Sequence, residues 1–175
     1  IKRNDKDLKV VEASATNLSM FKDKQFDIAI LFGPMYHLSN KQDRIKALNE
    51  AKRITKKYIF VTYIMNEYGV IKHAFIDNNY KDVKDKLDEN FKIIDKDNLY
   101  FFDRLQDIDE LNKICDLKLI KRFASDGPSD YIRQYINALD DESFNAYIEY
   151  HLKTCERKEL LGASSHVVDI LKIED

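Results

Sequence analysis

A chain of 175 residues, 44% hydrophobic and 34% charged, is long enough for one compact domain with its own core and too short for two comfortable ones. No segment approaches the ~20 apolar residues a membrane span needs, and a net charge of -2 with acids and bases interleaved offers no basic face to nucleic acid or anionic lipid. Cys115 and Cys155 form no C-x-x-C pair, so neither a zinc site nor a disulfide framework is suggested, and the reducing cytoplasm is the expected compartment.

Ile1 is not an initiator methionine, and Ile1 to Asp7 is charged rather than an apolar targeting segment, so the sequence reads as beginning inside something longer. Lys9 to Glu12 is expected to be a first strand. Ile28 to Phe32 is continuously apolar, the mark of a strand buried on both faces of a parallel sheet, and is expected to be central. Ser39 and Gln42 then have capping-box spacing, and Ala47, Leu48, Ala51 and Ile54 make one helical stripe with Ile45 at its margin. That helix returns the chain for a strand at Tyr58 to Tyr63. Strand, helix, parallel strand is the crossover unit of doubly wound α/β folds.

Between Asn66 and Tyr100 the rhythm breaks. A short segment, Tyr68 to Phe75, precedes one amphipathic helix carrying Tyr80, Val83, Leu87 and Phe91, and the stretch reads as an insertion over the sheet's edge. The charges of Lys81 to Asn90 are its solvated face. Asp107 and Glu110 have capping-box spacing, with Ile108, Leu111 and Cys115 facing inward, before a weaker strand at Leu117 to Phe123. Pro128 suits a first helical turn; Ile132, Tyr135, Ile136 and Leu139 mark one helix, and Phe144, Tyr147, Ile148, Leu152 and Cys155 a second. Gly162 ends that stretch, and His166 to Ile173 is the last strand.

In open parallel sheets, ligands bind beyond the carboxyl ends of central strands, where backbone donors and helix amino termini converge. Here that place holds Gly33-Pro34-Met35-Tyr36-His37-Leu38. Phe26 to Leu38, followed by Asp43-Arg44 and Ala47-Leu48-Asn49-Glu50-Ala51, resembles the fourth-strand motif and following helix of small-molecule class I S-adenosylmethionine (SAM)-dependent methyltransferases. Val10 to Leu18 is similar to that family's third strand and adenine-binding turn, and Leu161-Gly162-Ala163-Ser164-Ser165-His166 to the lead into its last strand. The G-x-G-x-G loop and the ribose-binding acid of the family have no counterpart in these residues.

The resemblance implies a Rossmann-like, mostly parallel sheet with an antiparallel last strand and its first strands missing, so residues 1–175 would form a single domain, incomplete at its amino end, with 66–100 as a cap. It implies SAM as cofactor and a small-molecule acceptor as partner. Ser14, Ala15 and Thr16 would border the adenine, Ser14 standing where the family often has Asp; Phe32 and Gly33 would flank the methionine moiety. Tyr36 and His37 would orient or deprotonate the acceptor, or else simply pack at a helix start. Tyr63, Asn66 and Tyr68, just past a strand end, would line the acceptor pocket or form an ordinary rim. His73, His151 and His166 share no metal-like spacing. With the near-neutral charge, Gly33 in place of the side-chain acceptor of the N/D-P-P-Y motif argues against nucleic-acid substrates. Stripped of a neighbour, the Ile28 to Phe32 strand would pair with another chain, as a homodimer or by strand exchange, and such a fragment would be inactive alone. The alternative is a non-catalytic Rossmann-like module that binds a partner; a strand followed by G-x-G-x-G upstream would decide for the enzyme.

Overall fold

Residues 26–31 alternate in environment: Ala29 and Leu31 turn to the core, whereas Ile28 and Ile30 are 49% and 65% exposed. This is β1 (Phe26–Leu31) of a computed structural model that describes residues 9–95 and 97–174. After a single turn, α1 (Pro34–His37), the chain enters α2 (Lys41–Ile54) and returns as β2 (Thr55–Met65), parallel to β1 with Ile28 beside Tyr58 and Leu31 beside Val61. Asn40 caps α2, its side chain accepting from Asp43 N at 2.8 Å, one residue later than the expected Ser39 cap. An asparagine carbonyl fills the orphan-donor role as well as a serine hydroxyl does.

Ala47, Leu48, Ala51 and Ile54 are buried, as their spacing predicts, and pack on Ile59, Val61, Tyr63 and Met65 of β2. Burying a side chain such as Leu48 stabilises the fold by about 1.5–3 kcal/mol. Beyond β2 come α3 (Asn66–Gly69), a π-helical segment (Val70–Ile76), α4 (Tyr80–Val83) and a 3₁₀ turn (Lys84–Lys86). The expected single helix through Phe91 does not form: Leu87 bridges to Ile93, and Phe91 adopts φ 56 at the intervening turn.

β3 (Phe102–Asp103) pairs with the end of β2, and α5 (Leu105–Ile114) follows with Ile108 and Leu111 buried. Asp107 closes its first turn by accepting from Arg104 N at 2.9 Å. β4 (Lys118–Ala124), α6 (Arg133–Ile136), α7 (Asp141–Thr154), α8 (Lys158–Leu161) and β5 (His166–Lys172) complete the order. The sheet runs β1-β2-β5-β4, with β3 beside β2. β5 is antiparallel to β2 and to β4, so β1 to β4 share one direction and the last strand alone opposes them. That is the mixed α/β sheet the sequence predicts.

Four expectations change. Val10 and Val11 are exposed and Lys9 to Glu12 joins no ladder; a strand persists only where a neighbour accepts its backbone bonds. Among the described residues β1 is therefore an edge strand rather than a central one. The helix expected across Ile132 to Leu139 is reduced to α6, with Tyr135 exposed. α7 forms, but its apolar stripe of Phe144, Ile148 and Leu152 faces solvent; the Asp140 side chain capping Ser143 N at 2.8 Å holds it locally, without burial of that stripe.

Candidate active site

β1 delivers the backbone to Gly33, whose φ of 144 lies where side-chain-bearing residues are strained. A Cβ there would meet nothing closer than the Tyr36 hydroxyl at 3.9 Å, so the backbone at the strand's carboxyl end stays open to approach. Pro34 starts α1 with its fixed φ, Met35 plugs into the core, and Tyr36 and His37 are left facing outward.

These two rings form one wall of a pocket of about 520 Å³. The opposite wall comes from residues 92–102, where Ile93, Leu99 and Tyr100 present apolar and aromatic surface. The walls are tied together: Phe101 N donates to Tyr36 O at 2.8 Å, and the Tyr100 ring lies 5.2 Å from His37 and 6.2 Å from Tyr36. Lys92 and Asp95, the charged lining groups, are neutralised by Asp107 at 2.8 Å and Lys86 at 2.9 Å. The pocket accordingly offers aromatic and apolar contacts with polar rings at one end, the usual make-up of a small-molecule site.

The remaining expected residues are distributed unevenly. Tyr63 is not at the rim: it is fully buried on β2, and its hydroxyl has no protein partner. Even positions along β2 and odd ones face opposite ways, and Tyr63 falls with Val61 and Met65 on the core side. Asn66 is buried and acts from behind the pocket, donating to Phe91 O at 3.0 Å and accepting from Ile93 N at 2.9 Å. It pins the turn that carries the second wall. Tyr68 points elsewhere, donating to Asp130 at 2.6 Å with its ring 5.5 Å from Tyr131. Burial and that carboxylate hold its phenol well above the ordinary range.

Ser14, Ala15 and Thr16 form a turn in which Ser14 Oγ lies 2.8 Å from Thr16 Oγ1 and accepts from Thr16 N at 3.3 Å. The turn is moored to α2, since Glu50 accepts from Leu18 N at 2.6 Å and Arg53 donates to Leu18 O at 3.0 Å. Thr16 borders a shallow concavity with Lys46, Asn49 and Glu50, apart from the pocket of Tyr36 and His37. Phe32, 55% exposed, stands beside Gly33 at the strand end.

Sequence reasoning did not single out the Ile93 to Phe101 wall. Its signal was the aromatic run Tyr100-Phe101-Phe102, which reads as core until the Leu87–Ile93 bridge turns the chain back. Among the described residues, no group of three His, Cys, Asp or Glu side chains is placed to hold a metal, and no helix is long and apolar enough to cross a membrane.

Residues 1–60 match the sequence pattern of a methyltransferase domain. The fold is similar to that of a Thermotoga maritima SAM-dependent methyltransferase, described as a possible histamine N-methyltransferase, with 18% identity and a TM-score of 0.54 over 95% of this chain and 65% of that one. A SAM-dependent methyltransferase from Archaeoglobus fulgidus gives a TM-score of 0.53 at 13% identity, covering 98% of this chain and 70% of that one. One from Methanosarcina mazei gives 0.50 at 12% identity, covering 91% and 64%. The chain thus spans slightly under two thirds of the Thermotoga and Methanosarcina structures. No curated protein matches by sequence. The chain carries the Rossmann-like fold seen in these SAM-dependent methyltransferases.

Proposed function

We propose that the protein transfers a methyl group from SAM to a small-molecule acceptor held between Tyr36, His37 and residues 92–102. The observation that carries this reading is the position of the 520 Å³ pocket: its polar wall begins three residues past the open backbone of Gly33, at the carboxyl end of β1.

The residues present fit one flank of the cofactor. Gly33 leaves its backbone accessible, the half-exposed Phe32 offers an apolar face to the methionine moiety, and Ser14, Ala15 and Thr16 would border the adenine. Ser14 would meet the adenine amine with a neutral oxygen already engaged by Thr16, a weaker contact than a carboxylate makes. When bound, SAM supplies a methyl group on a cationic sulfur, reactive enough that alignment dominates the rate.

The chain's own residues supply that alignment. Tyr36, His37 and Tyr100 restrict an acceptor to the face near Gly33, while Leu99 and Ile93 offer it apolar contact. Asn66 contributes by fixing the wall, and Tyr68 by anchoring α3 to Asp130. Residues 66–100 act as the cap over the acceptor.

The test uses the full gene product, tritiated-methyl SAM and a cell extract divided by ultrafiltration. Label accumulating in the low-mass fraction supports a small-molecule acceptor. Label confined to protein or nucleic acid, or no transfer at all, contradicts it.

A further inference from the structure

One cluster of polar groups next to the pocket has no part in the reading above. The Asp126 carboxylate accepts from Ser165 N at 3.1 Å and lies 2.5 Å from Ser164 Oγ; its other oxygen is bonded to Ser165 Oγ. Ser165 Oγ in turn lies 2.9 Å from Nδ1 of His166. The His166 ring packs edge-on against Tyr36, centroids 5.6 Å apart at 68°. Tyr36 is itself a wall of the acceptor pocket.

Counting protons along this chain fixes the histidine. A serine hydroxyl has one proton, and an ionised carboxylate only accepts. Ser165 must therefore donate to Asp126, which leaves its oxygen to accept from His166 Nδ1. His166 is held as the Nδ1–H tautomer, with the lone pair on Nε2, to which no described residue donates. Burial lowers the affinity of the ring for a second proton, so it is neutral near neutral pH.

We propose that Asp126, Ser165 and His166 form a proton-accepting relay against the Tyr36 wall, in which Nε2 of His166 takes the proton that an N–H or O–H acceptor loses as it is methylated. This rests on the pocket being the acceptor site, and it narrows the substrate class to nucleophiles carrying a dissociable proton. The acceptor's nitrogen or oxygen forms the bond to carbon. The carbon–sulfur bond breaks with its electron pair left on sulfur, and the acceptor's proton moves to Nε2. The resulting imidazolium keeps its Nδ1–H on Ser165, faces the negative charge of Asp126, and discharges to solvent after product leaves.

The relay is read directly by long-range proton–nitrogen NMR on protein labelled at histidine nitrogen, near neutral pH. The expected spectrum shows His166 protonated at Nδ1 and bare at Nε2, with Ser165→Ala releasing the ring to the opposite tautomer and Ser165→Thr keeping the original one. A wild-type ring protonated at Nε2, or a tautomer unmoved by Ser165→Ala, overturns the proposal. Diethylpyrocarbonate, which acylates an unprotonated imidazole nitrogen, reads access from the pocket. Modification of the peptide containing His166 supports the relay, and an unmodified His166 in protein whose His37 reacts overturns it. Neither measurement needs cofactor, so a failure of SAM binding would sink the methyltransferase reading while leaving these results standing.

Discussion

Arg44 on α2 donates to Asp103 on β3 at 2.6 Å, with both side chains almost wholly withdrawn from solvent and the Phe101 ring 4.4 Å from the guanidinium. The pair joins the helix that follows Tyr36 and His37 to the segment forming the opposite wall of the pocket. It is thus a clamp on the geometry of the site as well as a part of the core.

Removing one charge leaves the other buried without compensation. Asp103→Ala, which unlike a neutral carboxyl or amide keeps no oxygen to accept from Arg44, is expected to lower the unfolding free energy by about 3–5 kcal/mol, the usual cost of orphaning a buried ion. Urea unfolding of the two proteins measures it, and a loss below about 1 kcal/mol would show that water already reaches Arg44.

Desolvation outweighs Arg44 at this carboxyl and pushes its pKa up from 3.8 to about 6. Because the folded value is the higher one, the carboxyl's contribution to stability is complete below about 3.8 and declines as pH rises to about 6. Carbon-13 NMR of the Asp103 carboxyl is expected to titrate near 6. A midpoint at or below 3.8 would mean that the ion pair dominates burial.

Two bonds from Asn66 tie the turn at Phe91 and Ile93 to α3. Asn66→Ala leaves a part-buried carbonyl and a part-buried amide without this partner, costing about 1 kcal/mol. Amide hydrogen exchange at Ile93 should accelerate far more than exchange in β2. Equal acceleration in both would mean that the wall and the sheet open as one unit.

Tyr63→Phe deletes a buried hydroxyl that has no protein partner. The expected result is unchanged or higher stability, by up to about 1 kcal/mol, in a thermal melt. A clear loss would show that the hydroxyl is bonded after all. The same substitution separates core from site, since a residue lining the pocket would change acceptor KM and a core residue would not.

Much of this architecture is legible in the chain because it is written in local periodicity. The stripe Ala47, Leu48, Ala51 and Ile54 and the positions Ile108, Leu111 and Cys115 each specify an element and its inward face, whereas the run of Ile28 to Leu31 specifies a strand but not its faces, since Ile28 and Ile30 are exposed. The cap is not legible in this way. Tyr80, Val83, Leu87 and Phe91 keep helical spacing, yet the long-range bonds of Asn66 to the 91–93 turn override it. Tyr63 illustrates a boundary error: the strand extends through Met65, so a residue expected at its end lies in its buried interior. His166 is legible as the start of the last strand, but its surroundings are not, because Asp126, reached through Ser165, and Tyr36 are far away in sequence.

Isothermal titration of SAM into the full gene product, alongside Gly33→Ala, tests the central claim most directly. At φ 144 an alanine is strained wherever space exists, so the strand end that should face the cofactor would shift. The account predicts saturable binding of SAM and of its demethylated product, weakened at least about tenfold, or roughly 1.4 kcal/mol, by the substitution. A full-length protein that binds neither compound, or a Gly33→Ala variant that is folded and binds both as tightly as wild type, would contradict it.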